Sequence, residues 1–213
     1  MRVRVKICGI TELRAARAAV EAGADALGFL FAPGSRQVDL ETTREISAAL
    51  PALISRVGVF VNPTRNEVEK AVRECGLDAV QLHGEESPAF IRELLPRHVI
   101  KGIPVKDAGS LERAESYRGC STLLLDAYHP DKRGGSGTPF NWALLEGYDP
   151  GGSFILAGGL DSQNVNRALE QLKPAGVDVS SGVETEGKKD PVKIEQFIKQ
   201  VRRWEYHAGA ISR

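Results

Sequence analysis

Short apolar runs alternate with longer stretches of helical period from one end of the chain to the other. The runs Val3–Cys8, Ala26–Leu30, Ile54–Phe60, Ala79–Leu82, Val99–Ile103, Thr122–Asp126, Phe154–Ala157 and Val177–Ser180 are rich in Val, Ile, Leu and Phe, the residues that favour strands. Between them lie TELRAARAAVEA, ETTREISAAL, RNEVEKAVREC, SPAFIRELL, SLERAESY, NWALLEG and SQNVNRALEQL, and PVKIEQFIKQVRRW follows the last run. Their apolar positions recur three or four residues apart, the mark of an amphipathic helix. The pattern predicts eight strand–helix units.

A repeat supports that count. EAGADALGF, ECGLDAVQL and PAGVDVSSG each carry Gly-x-Asp after a helical stretch and before a strand. A glycine there predicts a helix closed in the left-handed conformation. Gly23, Gly76 and Gly176 are 53 and 100 residues apart, about two and four units of roughly 25 to 27 residues, the spacing of a compact eight-unit barrel. Apolar strands with helical crossovers imply a parallel sheet covered by helices. The predicted fold is α/β, a single (β/α)8 TIM barrel over residues 1–204, with 205–213 as an unstructured tail. An open doubly wound sheet is the alternative. It usually carries a GxGxxG turn after the first strand, and CGITEL is not one. The Gly-rich stretch RGGSGTPFN, after the sixth strand, reads as a functional flap.

Composition narrows the partners. Lys plus Arg and Asp plus Glu both number 28, for a formal net charge of zero. Such balance argues against nucleic acid or a membrane surface as partner and leaves room for a small anion at a local site. Cys8, Cys75 and Cys120 are odd in number and widely spaced. They predict neither a disulfide framework nor structural zinc, and a reducing, cytoplasmic setting. MRVRVKI lacks the apolar core of a signal peptide, and ALGFLFAP is too short to span a bilayer.

Catalytic groups of such barrels sit at the C-terminal strand ends, and side chains alternate along a strand. In the first strand, Val3, Val5 and Ile7 then face the helices, while Arg4, Lys6 and Cys8 face the barrel with Cys8 uppermost. The sixth strand ends on Asp126, the eighth turns Asp178 and Ser180 inward, and the fourth offers Gln81 and His83. Each has a structural reading as well. A buried cysteine can be a small hydrophobe, Asp126 a helix cap, His83 a hydrogen-bonded core histidine, and Lys6 and Asp178 an ion pair between neighbouring strands. Cys75 and Cys120 read as structural. AGGLDSQN after the seventh strand and SSGVE after the eighth predict an anion site. Glycines allow close backbone approach, and these are the loops where such barrels hold phosphate.

KICGIT, GADALGF, VGVFVN, VQLHGEE, LLLDAY with GGSGTPFNW, LAGGL, and VDVSSGVE through GKKD, in this order from Arg2 to Trp204, resemble the phosphoribosylanthranilate isomerases of tryptophan biosynthesis. The resemblance implies an Amadori rearrangement of a phosphorylated N-ribosyl anthranilate, without metal or organic cofactor, by a monomer or homodimer. It implies Cys8 as general base and Asp126 as general acid. Arg36, His83 and Asp178 are the implied substrate contacts, and Gly158, Gly159, Ser180, Ser181 and Gly182 the phosphate cradle. The family pattern S-x-R-x-V is one residue shorter here, in FAPGSRQV, and Arg36 is its candidate arginine. Histidine-pathway and dual-specificity isomerases resemble one another in placing aspartates at both catalytic strand ends, so a cysteine at the first favours the tryptophan pathway. Lys6 is a candidate for lowering the proton affinity of Cys8. A related phosphosugar lyase or synthase, and a non-catalytic binding protein, are the other readings.

Overall fold

In the computed structural model, which describes residues 2–127, 142–145, 147–149 and 151–211, eight parallel strands close into a barrel. They are β1 (Arg4–Cys8), β2 (Ala26–Leu30), β3 (Ser55–Phe60), β4 (Ala79–Leu82), β5 (His98–Val105), β6 (Thr122–Ala127), β7 (Phe154–Ala157) and β8 (Gly176–Val179). Each pairs with its sequence neighbours, and β8 returns to β1. That last pairing sets Lys6 opposite Asp178. The helices are α1 (Leu13–Ala22), α2 (Leu40–Ala48), α3 (Arg65–Cys75), α4 (Pro88–Glu93), α5 (Ala108–Glu115), α6 (Val165–Leu172) and α7 (Pro191–Ile211). A two-stranded hairpin, β9 (Glu184–Thr185) and β10 (Lys188–Lys189), follows β8.

Local chemistry explains where the helices begin. Asp39, Thr64, Ser87 and Asp107 each accept a backbone N–H in the first turn of α2, α3, α4 and α5, which satisfies donors that have no intrahelical partner. At α3 the cap is reciprocal, because Glu67 also accepts from the Thr64 N–H. Gly23 and Gly76 end α1 and α3 in the left-handed conformation, as the repeat predicts. The core lies between barrel and helices. Val3, Val5, Ile7, Leu27 and Phe29 are fully buried there with Phe197 and Val201 of α7.

Three expectations change. Gly176 closes no helix: α6 ends at Lys173, which takes the left-handed conformation itself at φ 47°. Pro174 follows and cannot continue a helix, so Gly176 is free to open β8 beside Arg4. The predicted helix NWALLEG is a 3₁₀ turn, Trp142–Leu145, with Gly147 at φ 75° soon after it. The Gly-rich stretch 133–141 lies outside the described residues.

The third change is at the C-terminus, where α7 runs on to Ile211 instead of stopping at Trp204. Glu205 accepts a hydrogen bond from the Val3 N–H, and Arg202 donates to Val3 O, Gly23 O and Asp25. Asp25 also pairs with Arg2 and Arg4. The segment after Trp204 is thus tied at its start to the first strand, and a helix anchored at one end propagates at little further cost.

Candidate active site

Cys8, at the C-terminal end of β1, is 7% exposed. Its position depends on a gap in the neighbouring strand. Gly28 of β2 lies opposite Cys8, and a Cβ built on it would fall 2.8 Å from Cys8 Sγ and 3.0 Å from Lys6 Nζ. The missing side chain lets thiol and ammonium share one space. Lys6 Nζ lies 3.0 Å from Asp178 Oδ1, with both side chains under one-tenth exposed, as strand alternation predicts.

The charges around the thiol oppose one another. Burial pushes the Cys8 thiol up, because an isolated thiolate is poorly solvated there, and the Asp178 carboxylate pushes it further. Lys6 and Lys189 pull it down without overcoming those effects. Lys6 does lower the proton affinity of Cys8, as its candidate role requires, but burial first and Asp178 second outweigh it. Lys6 itself is pulled down by burial, but Asp178 and Cys8 together turn the net shift upward.

A second cluster closes this wall. Ser180 Oγ donates to Cys8 O at 3.1 Å. Lys189 Nζ donates to Ser180 O and Oγ at 3.1 and 3.2 Å and pairs with Glu184. Arg36, from the loop after β2, donates through Nε and Nη2 to the two Glu184 oxygens, 2.7 Å each. Burial raises Glu184, yet its hydrogen bonds from Arg36 and Lys189 bring it below the ordinary carboxylate range. Burial lowers Lys189 in spite of Glu184. The bare backbone of Gly9 admits this group, since a Cβ there would lie 2.7 Å from Arg36 Cδ.

Across the barrel mouth, three strands round the ring from β1, Asp126 stands near the end of β6. Asp126 Oδ2 is 3.0 Å from His83 Nε2, and the side chains of His83 and Asp126 are 26% and 31% exposed. The loop after His83 is held from behind. Lys101 and Glu86 form a pair with both side chains 2% exposed. Lys101 donates to Gly84 O as well, and Glu86 accepts from the N–H groups of Asn62 and Gly84.

The two Gly-rich loops meet at the same end of the barrel. Gly158 and Gly159 have φ of 90° and 65°, conformations that favour glycine. Ser181–Val183 is a short 3₁₀ turn. A Cβ on Gly182 would fall 1.9 Å from Leu160 O, so only glycine lets these loops touch. Asn164 and Asp161 brace the first loop through Gly159 O and their own backbone.

Cys8 and Asp126 thus stand at the C-terminal ends of β1 and β6, His83 and Ser180 just after β4 and β8, and Asp178 lies lower in the barrel, opposite Lys6. Five participants escape the sequence reading: Gly28, Glu86, Lys101, Glu184 and Lys189. Glu184 and Lys189 lie within the motif that runs from VDVSSGVE through GKKD, where neither is given a role, and their side chains are 6% and 2% exposed. Only the hairpin of β9 and β10, which folds Lys189 beneath Ser180, makes them part of the site.

A family model described as N-(5'phosphoribosyl)anthranilate (PRA) isomerase matches residues 5–200. A curated N-(5'-phosphoribosyl)anthranilate isomerase of Desulforamulus reducens is 48% identical over 206 residues, covering 97% of this chain and 98% of that protein. The crystal structure of phosphoribosyl anthranilate isomerase from Thermotoga maritima superposes with a TM-score of 0.89 at 45% identity, over 94% of this chain and 99% of that one. Another phosphoribosyl anthranilate isomerase structure holds reduced 1-(o-carboxyphenylamino)-1-deoxyribulose 5-phosphate. It matches with a TM-score of 0.85 at 42% identity, over the same shares. On barrel topology, length and sequence together, the chain belongs to the N-(5'-phosphoribosyl)anthranilate isomerase family.

Proposed function

We infer that this chain performs the reaction of its family. It isomerises N-(5'-phosphoribosyl)anthranilate to 1-(2-carboxyphenylamino)-1-deoxyribulose 5-phosphate, an Amadori rearrangement in tryptophan biosynthesis, in the cytoplasm. The observation that supports the reading is that Cys8 and Asp126 lie near the C-terminal ends of β1 and β6, on one rim of the barrel, with the two joined Gly-rich loops after β7 and β8.

The chemistry needs one acid and one base on the two sides of a sugar. Asp126 gives a proton to the furanose ring oxygen, the C1′–O bond breaks, and the anthranilate nitrogen takes the positive charge as an iminium. Cys8 then removes the C2′ proton. The electron pair of that C–H bond moves to neutralise the iminium, and the enolamine so formed tautomerises to the ketone. Backbone N–H groups of Gly158, Gly159, Ser181 and Gly182, with the Ser180 hydroxyl, receive the phosphate. Arg36 and His83 contact the remainder of the substrate. Asp178 lies near the reacting carbons and holds Lys6 beside the thiol. Since burial and Asp178 hold the Cys8 proton tightly, the activity of the free protein climbs toward alkaline pH as the thiol ionises.

The test is direct. Phosphoribosylanthranilate is formed in situ and its fluorescence followed with and without the protein. Protein-dependent decay with appearance of the ketose product is expected, and a decay unchanged by the protein overturns the reading.

A further inference from the structure

Gln81 lies on β4, and His83 follows two residues later, just past the strand end. It is 2% exposed. Its Nε2 lies 3.2 Å from His83 Nδ1, while its Oε1 is buried without a hydrogen-bond partner among the described residues. A native fold keeps an unpaired buried carbonyl at a cost, and such groups often mark a functional constraint. The ring has little freedom to turn away. A Cβ on Gly102 would lie 2.4 Å from His83 Nδ1 and 2.8 Å from Cε1, so the imidazole packs flush against the backbone of β5.

An amide nitrogen only donates hydrogen bonds. Nδ1 facing Gln81 Nε2 is therefore the acceptor, and a neutral ring carries its one proton on Nε2. That N–H points at Asp126 Oδ2, 3.0 Å away. We propose that Gln81 is a positioning residue that sets the Nε2–H tautomer of His83, so that His83 holds Asp126 as a carboxylate once its proton has gone to the substrate. The proposal rests on Asp126 being the acid. No proton leaves His83: the substrate oxygen gains the proton that Asp126 loses, and the new negative charge receives a charge-assisted hydrogen bond. The opposite amide orientation would reverse every donor in the chain and leave Nε2 without a proton to offer.

Long-range ¹H–¹⁵N correlation spectra of the labelled protein at alkaline pH report the tautomer, with His83 assigned by its loss in His83→Asn. A protonated Nε2 and a bare Nδ1 are expected, and a protonated Nδ1 overturns the proposal. Gln81→Met keeps the length and removes the donor. It is expected to mix the tautomers and lower kcat about 10-fold, as loss of an orienting partner commonly does, with unchanged affinity for a phosphorylated product analogue. Gln81→Glu, which can only accept, is expected to reverse the tautomer and lower kcat further. A Gln81→Met protein with native kcat, or one that loses kcat and affinity together, overturns the proposal in favour of packing alone. If Asp126 is not the acid, Asp126→Asn keeps its turnover while the His83 tautomer stays as described, so the two failures are distinguishable.

Discussion

The two walls of the barrel mouth are built on opposite principles. On the β1–β8 wall, Cys8 is nearly closed off from solvent, and charged side chains that pair mostly with one another crowd around it. On the β4–β6 wall, His83 and Asp126 keep about a quarter and a third of their side chains open and are ordered by one chain of hydrogen bonds from Gln81. A thiol that must take a proton from carbon gains from dryness, because a desolvated thiolate is the stronger base. An acid that must recover its proton each cycle gains from contact with water. The proposed base and the proposed acid thus differ in environment as much as in chemical type.

The largest effects should come from removing either member. Cys8→Ala and Asp126→Asn are each expected to lower kcat by roughly 10²-fold or more, with little change in affinity for a product analogue. Steady-state kinetics and an analogue titration check both, and a Cys8→Ala protein with near-native turnover would return the thiol to the role of core packing.

The closed wall should then be the more sensitive to added volume. Gly28→Ala places a methyl 2.8 Å from the thiol sulfur. Overpacking of this kind costs about 1–3 kcal/mol, and kcat should fall beyond what the drop in Tm implies, because the clash falls on the proposed base itself. Thermal unfolding and kinetics on the same preparation decide it.

A subtler test is Asp178→Asn. Without that anion, repulsion of the thiolate is lost and Lys6 is released toward the sulfur, so the proton affinity of Cys8 drops. Alkylation of Cys8 near neutral pH should speed up. In the unaltered protein it should lag a free thiol and rise only at alkaline pH. A bound product analogue should protect Cys8 in both. Equal alkylation rates in the two proteins would remove Asp178 from the account.

The smallest effect concerns acid stability. Arg36 and Lys189 hold Glu184 below its ordinary value. A carboxylate depressed on folding adds stability that is present above its unfolded pKa, about 4.3, and is lost as pH falls through the lower folded value. The Tm of the unaltered protein should decline across that acid window. Glu184→Gln should be less stable at neutral pH, because it strands a buried Lys189, and should show a flatter decline.

Much of this was legible in the residues. RNEVEKAVREC is α3 with no change of boundary, since a capping Thr64 and a terminal Gly76 bracket it. The Lys6–Asp178 pair follows from strand alternation once the first and last strands are neighbours. Cys8, Asp126 and the two Gly-rich loops follow because a parallel barrel brings all its strand ends to one rim. Gly176 misled because its Gly-x-Asp context matches two real helix caps, while Pro174 ends the helix earlier. The final helix outran its expected end because Glu205 meets Val3, a contact about two hundred positions distant in sequence.

By itself the sequence determined the periodicities, the caps, the eight-unit count and the identity of the groups at the strand ends, all of which depend on near neighbours along the chain. The tertiary structure alone decided which charges are buried and which carboxylate each cation finds. Lys189 is polar by composition and buried by topology, and Cys8 holds its proton because it is buried and because the Asp178 carboxylate, 170 positions away, lies close to it. Desolvation and Coulomb interactions depend on distance through space, and no local pattern in a chain encodes that distance.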